Sequence, residues 1–182
     1  MTKRVEIRIC GLGGQGVVLA GQILGRAAVF DGLNVVQTQS YGAEARGSNA
    51  KSEIIISDDK IGFPLVRHCD VLIAMSQRSL EASVKDLKED GLLIIDEGSV
   101  ERVPEGLKAN VFHIAATKTA ESSFKSKLYA NIVMLGAATK ITTLVAIKSM
   151  ERAIVEGLPE NTRKTNIEAF RKGLELALSA KL

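Results

Sequence analysis

Charged and apolar positions alternate strictly over residues 4–10, and a period of two is typical of a β-strand with one less buried face. The apolar spacing then changes to a helical period over 16–30, until Asp31 and Gly32 end the helix. Residues 35–38 form the next apolar segment, which predicts a second strand. The order strand, helix, strand is that of a parallel crossover unit, so the chain is expected to begin as an α/β fold.

The middle of the chain continues as short strands. Further strands are predicted from apolar segments at 50–56, 71–74, 92–95 and 111–114. A turn signal at 57–60 predicts a hairpin that pairs the strand before it with residues 61–63, so the sheet is expected to be mixed, with an antiparallel edge. Ser76 is the predicted N-cap of a helix that runs to Gly91.

The last third of the chain is predicted to be helical. A segment rich in Gly and Ala at 134–138 suits close helix packing and also a contact with another subunit, and both interpretations stay open. A second helix is predicted at 146–156, and Thr165 with Glu168 forms a capping-box pattern for a third. These elements predict a single domain over 1–182 with a three-layer, Rossmann-like α/β fold. Its sheet is expected to be mostly parallel with an antiparallel hairpin, followed by a helical C-terminal segment.

Four glycines in six residues follow the first strand, in the sequence Cys-Gly-Leu-Gly-Gly-Gln-Gly-Val at 10–17. Gly11 suits a tight turn, and Gly16 lets the helix begin close to the strand. Gly13 and Gly14 place no Cβ between the backbone amides and an approaching anion. This arrangement predicts a loop that binds a phosphate-bearing ligand. The alternative is a strand-to-helix turn that needs glycines for packing and binds nothing.

A polar loop, Gln-Ser-Tyr-Gly-Ala-Glu-Ala-Arg-Gly at 39–47, follows the second predicted strand. Ligands of open α/β sheets bind at the carboxyl ends of the strands, so this loop is expected to face the same crevice as the glycine loop. Arg46 is its strongest polar candidate, because a guanidinium can grip a phosphate or a partner's carboxylate through paired hydrogen bonds. A local ion pair between Arg46 and Glu44 is the open alternative.

The glycines also satisfy the dinucleotide-binding pattern GxGxxG, but the second half of that pattern is missing. An acid that binds the ribose is expected at the end of the second strand, where this chain has Gln37, Thr38 and Gln39. Asp31 comes too early, in the turn before the strand. A nicotinamide cofactor is therefore disfavoured.

Composition narrows the remaining function classes. The 182 residues carry a net charge of +3 with 4% aromatic residues and no Trp, which disfavours nucleic acid as a partner. No apolar run approaches the ~20 residues of a membrane span, so no membrane contact is expected and the protein is predicted to be cytoplasmic. Cys10 and Cys69, each in an apolar context, are expected to be buried free thiols.

Few side chains are candidates for chemistry. The two Cys and two His form no spaced metal motif, and they are too few to hold an iron-sulfur cluster. His113 lies in a strand-like run and is expected in the core or at a sheet edge. Asp96 ends a predicted strand and is expected to serve as a helix cap or in a turn. No catalytic residue is predicted.

Four motifs together resemble one known family. They are the glycine loop with its helix at 11–21, the polar loop at 40–47, Asp-Val-Leu-Ile-Ala-Met-Ser-Gln at 70–77 and Asn-Ile-Val-Met-Leu-Gly at 131–136. In this order they resemble the gamma subunit of 2-oxoacid:ferredoxin oxidoreductases, over most of the chain. The polar loop departs from the family at Ala43, where proline is common, and at Ser48, where a second glycine is usual.

The resemblance implies a complex that decarboxylates a 2-oxoacid on thiamine diphosphate, passes electrons through iron-sulfur clusters to ferredoxin and releases an acyl-CoA. Alpha, beta and delta-type subunits are the implied partners, and they are expected to hold the thiamine diphosphate and the clusters. This chain resembles the subunit that helps to bind or position coenzyme A, and it is expected to be inactive alone. The residues implied to contact coenzyme A are Gly11, Gly13, Gly14, Gln15, Gly16, Ser40, Tyr41, Gly42, Glu44, Arg46 and Gly47.

Two other function classes stay open, a stand-alone nucleotide-binding enzyme and a purely structural assembly subunit. Co-purification with larger thiamine- and iron-containing chains separates the stand-alone class from the other two. The oxoacid is also open among pyruvate, 2-oxoglutarate and branched-chain oxoacids, because the thiamine-bearing subunits are expected to read its side chain.

Overall fold

The structure of the protein is a computed structural model, which describes residues 4–42 and 48–180. The strands are Arg4–Leu12 (β1), Asn34–Tyr41 (β2), Asn49–Ser57 (β3), Cys69–Ala74 (β4), Leu87–Asp96 (β5) and Asn110–Ile114 (β6). The α-helices are Val17–Phe30 (α1), Gln77–Ser83 (α2), Ala116–Phe124 (α3), Ala130–Thr142 (α4), Ile147–Gly157 (α5) and Glu160–Ser179 (α6). Short 3-10 helices lie at Val84–Asp86 and Lys127–Tyr129. Within the described ranges, no helix combines the length and apolarity needed to cross a bilayer.

The strands form one sheet in the order β2-β3-β1-β4-β5-β6. From β1 to β6 the neighbours in this order are parallel, while β3 runs antiparallel to β1 on one side and to β2 on the other. The prediction of a mixed, mostly parallel sheet is therefore confirmed. β1 and β2 run in the same direction, as a crossover through α1 requires, but β3 lies between them.

The hairpin is not where the sequence analysis placed it. β2 and β3 pair along their whole length, and Gln39, Ser40 and Tyr41 of the predicted polar loop are the last residues of β2. Residues 61–63, the predicted partner strand, are not a strand. Burial explains the difference: the isoleucines at 54–56 are at most 3% exposed, and a strand buried to that degree needs neighbours on both sides. The antiparallel strand is therefore one position inside the sheet, and the edge strand is β2.

α2 ends earlier than predicted. Its predicted N-cap is confirmed, because the Ser79 amide donates a hydrogen bond to the Ser76 hydroxyl at 3.3 Å. The chain then enters β5 at Leu87, which pairs with Cys69 of β4. Sheet hydrogen bonds thus replace helical ones well before Gly91, which lies inside β5.

The last helix begins earlier than its capping-box pattern indicates. α6 starts directly after Pro159, and both Thr165 and Glu168 lie inside it, so the capping-box prediction is wrong. The first amides of a helix have no intrahelical acceptor, so a proline without an N–H costs nothing at that end.

The sheet has two unequal faces. On the first, called the multi-helix face, α1 packs on the strands, and α3, α4, α5 and α6 pack on α1 and on one another to enclose the larger apolar cluster. On the second, called the α2 face, the described cover consists of α2, its 3-10 turn and the loops before β4 and after β5, around a smaller cluster. Helices on both faces of the sheet confirm the predicted three-layer fold.

α4 and α6 approach each other so closely that their backbones touch. A Cβ on Gly136 would overlap the carbonyl oxygen of Phe170, and one on Gly173 would overlap that of Val133. All of residues 134–138 are buried within the chain. Close intramolecular packing therefore accounts for the Gly- and Ala-rich segment, which leaves no surface there for a partner.

Candidate functional site

The glycine loop between β1 and α1 is shaped by two left-handed residues and by α4. Gly14 has a φ of 93° and Gly16 a φ of 72°. A Cβ on Gly16 would overlap the side chain of Asn131, whose Nδ2 donates a hydrogen bond to the Gly16 carbonyl at 3.1 Å. Gly16 is therefore required by the start of α4, and not by the strand as the sequence analysis expected. Asn131 belongs to the sequence motif at 131–136, but its contact with Gly16 was not predicted.

Gln15 closes the crevice between β1 and β4. The Leu12 amide donates to its Oε1 at 2.6 Å, and its Nε2 donates to the Met75 carbonyl at 2.8 Å. The chain leaves β1 through α1 on one face and β4 through α2 on the other, so this is the point where ligands of open α/β sheets usually bind. Gln15 occupies that point itself. A Cβ on Gly11 would come within 2.6 Å of Gln15 Oε1, so Gly11 serves this packing.

Free hydrogen-bond donors remain beside Gln15, at the start of α1. No side chain caps this helix, and its first helical bond is from the Ala20 amide to the Gly16 carbonyl. The three amides before Ala20 thus have no intrahelical acceptor, and they carry the partial positive charge of the helix N-terminus. They border a cavity of about 310 Å³, the glycine-loop cavity, which Gly13, Gly14 and Tyr41 also line.

The structure brings the described part of the polar loop next to the glycine loop. The Gly13 amide donates to the Ser48 carbonyl at 2.8 Å, and the Gly42 amide donates to the Asn49 carbonyl at 2.7 Å. Tyr41 is 61% exposed at the end of β2, and Ser40 beside it is also exposed. Glu44, Arg46 and Gly47 lie outside the described residues.

A buried charge network lies on the α2 face, and the sequence analysis missed it. Arg8 is 3% exposed although its strand alternates like a half-exposed one. Its guanidinium donates to Glu53 at 2.9 Å and to Asp86 at 2.5 Å. Burial alone would lower the pKa of Arg8, but the hydrogen bonds to Asp86 and Glu53 raise it above its ordinary value. No local signal marks Arg8, because both acids come from distant segments.

A second cavity, of about 260 Å³, opens above this network. We call it the sheet-face cavity. Arg8 forms part of its floor, while Ser40, Asn49 and Lys51 stand where β2 and β3 meet the polar loop. Lys51 reaches Glu53 at 3.5 Å with 41% of its side chain exposed, so its ammonium lies at the rim.

The other polar candidates are structural. Asp96 is fully buried and accepts hydrogen bonds from the Thr117 amide at 3.0 Å and the Ser99 hydroxyl at 2.8 Å, which joins β5 to the start of α3 as a cap. His113 is exposed on the edge strand β6. Cys10 and Cys69 are buried free thiols, as predicted. In the described chain, no three His, Cys, Asp or Glu side chains converge on a metal site.

Gln37 stands where a ribose-binding acid would be expected, and its side chain makes hydrogen bonds within the fold instead. Gln37 Nε2 donates to the Val18 carbonyl at 3.3 Å and to the Ser52 hydroxyl at 2.8 Å. It therefore ties β2 and β3 to α1.

Comparison with known proteins now identifies the family. The 2-oxoglutarate synthase subunit KorC of Methanocaldococcus jannaschii is 46% identical over 96% of this chain and 94% of its own. The keto/oxoacid ferredoxin oxidoreductase gamma subunit of Geobacter sulfurreducens PCA has 40% identity and a TM-score of 0.86 over 96% of this chain and 99% of that one.

A longer chain shares the fold. The 2-oxoglutarate:ferredoxin oxidoreductase of Magnetococcus marinus, solved with 2-oxoglutarate, coenzyme A and succinyl-CoA bound, gives a TM-score of 0.88 at 24% identity over 97% of this chain and 31% of that one. Residues 6–176 match the family described as pyruvate ferredoxin/flavodoxin oxidoreductase. The resemblance to the gamma subunits is thereby confirmed, and the chain belongs to the pyruvate ferredoxin/flavodoxin oxidoreductase family.

Proposed function

We propose that the chain, as a gamma-type subunit of a 2-oxoacid:ferredoxin oxidoreductase, binds or positions coenzyme A through its glycine-loop cavity. The observation that carries the proposal is the uncapped start of α1 beside the exposed Gly13 and Gly14. Backbone amides at such a helix end are natural donors to phosphate oxygens, and coenzyme A brings several phosphates. A longer chain that shares this fold was solved with coenzyme A bound, so coenzyme A is a reasonable ligand to test at this loop.

The division of labour follows from what the chain offers. Its described residues supply amide donors and an exposed Tyr41 ring, and they supply no general base or nucleophile in the glycine-loop cavity. Alpha, beta and delta-type partner subunits would hold the thiamine diphosphate and iron-sulfur clusters, and ferredoxin would take the electrons. The free thiols of Cys10 and Cys69 fit a reducing cytoplasm.

A pair of substitutions of nearly equal size tests the site. A Cβ on Gly13 would meet its nearest neighbour, Ser48, at 3.7 Å, so a side chain fits there. Gly13→Asp places a carboxylate beside the amides, while Gly13→Asn places a neutral side chain of the same shape. We expect Gly13→Asp to weaken coenzyme A binding to the assembled complex about tenfold relative to Gly13→Asn, because like charges repel across a short distance.

Calorimetric titration of the assembled complex measures the difference. Equal affinities of the two variants for coenzyme A would exclude a phosphate at this loop. Tight binding of NADH with none of coenzyme A would favour the stand-alone nucleotide-binding class instead.

Arg46 stays a proposed contact to a phosphate of the same ligand. Loss of a charge-assisted hydrogen bond costs roughly 1.5 to 3 kcal/mol, so Arg46→Ala is expected to raise the coenzyme A concentration for half-maximal rate by one to two decades. Arg46→Lys should recover part of the loss, since it keeps the charge without the paired geometry. An unchanged coenzyme A dependence would favour the ion pair with Glu44, and a complex that dissociates would place Arg46 at a subunit interface.

We further propose 2-oxoglutarate as the oxoacid, on the strength of the 46% identity to KorC. The complex should then reduce ferredoxin with 2-oxoglutarate and coenzyme A, and much more slowly with pyruvate or a branched-chain oxoacid. A faster rate with either of those substrates would overturn this assignment without affecting the coenzyme A site.

A further inference from the structure

β2 is an edge strand that lacks the usual protection against pairing with another chain. It lies at one end of the sheet and pairs with β3 on its inner side. Its eight residues include no charged side chain and no proline, and its register with β3 is regular. Natural edge strands are usually short, charged, bulged or covered, and β6 at the other edge is short, with five residues. An unprotected edge of this length is expected to pair with a strand of another chain.

The hydrogen bonds of the hairpin show which backbone groups of β2 face outward. The Gly42 amide donates to the carbonyl of Asn49, the residue opposite, at 2.7 Å. In an antiparallel pair, residues that bond to the partner strand alternate with residues that direct both backbone groups away from it. The even-numbered residues of β2 therefore bond to β3. The odd-numbered ones, from Val35 to Tyr41, present their amides and carbonyls to the open side.

A groove of about 440 Å³, which we call the edge groove, lies beside these groups between β2 and α1. Its lining includes Val35 and Gln37 of β2 and Gln22, Arg26 and Val29 of α1. Residues paired across two strands place their side chains on the same face of the sheet, so a strand added to β2 would place alternate side chains in this groove. Open backbone groups and a groove for alternate side chains are what recognition by strand addition requires.

Arg26 determines which side chain suits the edge groove. It is exposed, and no carboxylate among the described residues pairs with it. A Cβ on Gly157 would lie 3.7 Å from its Nη1, so the guanidinium stands beside the end of α5, which supplies only a partial negative charge. An acidic side chain on the added strand would complete the ion pair. An apolar one would cover Val29, which is 56% exposed.

A second copy of this chain does not meet these requirements. Neither α1 nor β2 contains Asp or Glu, so two copies joined at this edge would bring the two Arg26 side chains together with no acid from either element. Asp31, directly after α1, already accepts a hydrogen bond from the Ala146 amide at 2.6 Å. The acid must therefore come from a different chain, and a gamma-type subunit works in a complex with other subunits.

We infer that the open edge of β2 is an interface with another subunit of the complex, which adds an extended strand to the sheet. The side chains of that strand in the edge groove include an acid opposite Arg26 and an apolar residue against Val29. This inference goes beyond the proposed function, because it does not depend on what the glycine loop binds.

Residue-resolved hydrogen exchange tests the strand addition directly. It compares the full chain alone with the same chain in the assembled complex. In the chain alone, the amides of Val36 and Thr38 should be protected by β3, while those of Gln37 and Gln39 exchange rapidly. In the complex, all four should be protected. Rapid exchange of Gln37 and Gln39 in the complex would overturn the inference.

Two pairs of variants test the backbone and the charge separately. Gln39→Pro removes an outward amide, while Gln39→Ala keeps it, and neither removes a hydrogen bond to β3. We expect Gln39→Pro to weaken association of the full chain with the other subunits about tenfold relative to Gln39→Ala, because proline cannot donate to an added strand. Arg26→Glu should weaken association about tenfold relative to Arg26→Gln, because like charges would meet in the edge groove.

The remaining outcomes separate this inference from its alternatives. Equal association within both pairs of variants would overturn it. A full chain that dimerises alone in sedimentation, and whose dimer Gln39→Pro dissociates, would assign the edge to a second copy and would also overturn it. Gly13→Asp should leave association unchanged whatever it does to coenzyme A binding. Failure of the proposed function and failure of this inference are therefore distinguishable.

Discussion

The two faces of the sheet share the same strands, yet their side chains are organised in opposite ways. On the multi-helix face the larger apolar cluster is sealed by five helices, and α4 and α6 touch backbone to backbone. On the α2 face the described cover is thin, a buried Arg8 stands among the apolar residues, and the sheet-face cavity opens beside it.

The difference shows where the chain is free to bind. Where α4 and α6 pack at backbone contact there is no room to admit a ligand, and each residue there is constrained by its neighbours. The α2 face satisfies its polar residues through a few specific partners and leaves space at the β2–β3 end. The sheet-face cavity lies at that end, while the glycine-loop cavity lies at the start of α1 and shares Tyr41 and Ala50 with it. The following predictions test whether the two faces differ energetically as their geometry indicates.

The largest effect is expected on the multi-helix face, from Gly136→Ala. The added Cβ would overlap the backbone of α6 at Phe170, and no side-chain rotation can relieve a clash between two backbones. Overpacking usually costs about 1–3 kcal/mol, and a backbone clash belongs at or above the upper end of that range. Urea unfolding of the full chain should show the loss.

Gly62→Ala is the matched control. A Cβ on Gly62 meets no atom within 4 Å, and its backbone has no positive φ, so the same substitution should change the free energy of unfolding by less than about 0.5 kcal/mol. Equal losses in the two variants would mean that α4 and α6 are not held at backbone contact.

The next effect is expected on the α2 face, from Arg8→Met. Breaking a fully buried ion pair costs about 3–5 kcal/mol, because the remaining charge is stranded. Since the Asp86 side chain keeps 30% of its exposure and Lys51 also reaches Glu53, we expect a smaller loss of about 2–3 kcal/mol. Denaturant unfolding at neutral pH measures it.

Arg4→Met provides the control on the same strand. Arg4 pairs with Glu6 at 2.9 Å, but 37% of its side chain is exposed, and such surface pairs contribute about 0–1 kcal/mol. Adding Glu53→Leu to Arg8→Met should recover part of the stability by removing the stranded carboxylate. If the double variant recovers no stability, the loss caused by Arg8→Met comes from packing and not from a stranded charge. Both faces would then be stabilised mainly by packing.

The sequence predicted what depends on short-range signals. The period-two pattern of β1 and the Ser76 cap need only neighbouring residues, and both were placed correctly. The position of β3 between β1 and β2 was not predicted, because the choice of a strand's partners depends on burial that a single segment does not reveal. Arg8 was missed for the same reason, since its acids come from 45 and 78 residues away.

The residues of the candidate site also differ in whether a local sequence signal predicts them. The glycine loop and its neighbour at Tyr41 were predicted from sequence, because a glycine pattern after a strand is a local signal. Asn131 was not predicted to take part, since its importance comes from a contact with a distant segment. The purpose of Gly16 was misassigned for this reason.

The smallest effect is expected from the two thiols. Cys10 and Cys69 both belong to the apolar cluster of the α2 face, so their ionisation probes that face alone. Burial raises the pKa of both thiols, and it raises that of Cys69 from 9.0 to about 12. A group whose folded-state pKa lies above its unfolded value gives its full stabilisation below the unfolded pKa and loses it as the pH rises toward the folded pKa. For Cys69 the loss therefore begins near pH 9 and is complete near pH 12.

Between pH 7.5 and 9.5, linkage predicts that Cys69 ionisation removes about 1 kcal/mol from the free energy of unfolding, because the unfolded chain releases a proton that the folded chain retains. Urea unfolding at both pH values should show this additional loss in the unmodified chain and not in Cys69→Ala, whose other titrating groups are the same. The comparison uses the pH slope, so the cavity left by the substitution cancels. Equal slopes would mean that Cys69 ionises in the folded state as easily as in the unfolded one. The thin cover of the α2 face would then admit water to its core, and the contrast with the multi-helix face would be one of solvation as well as packing.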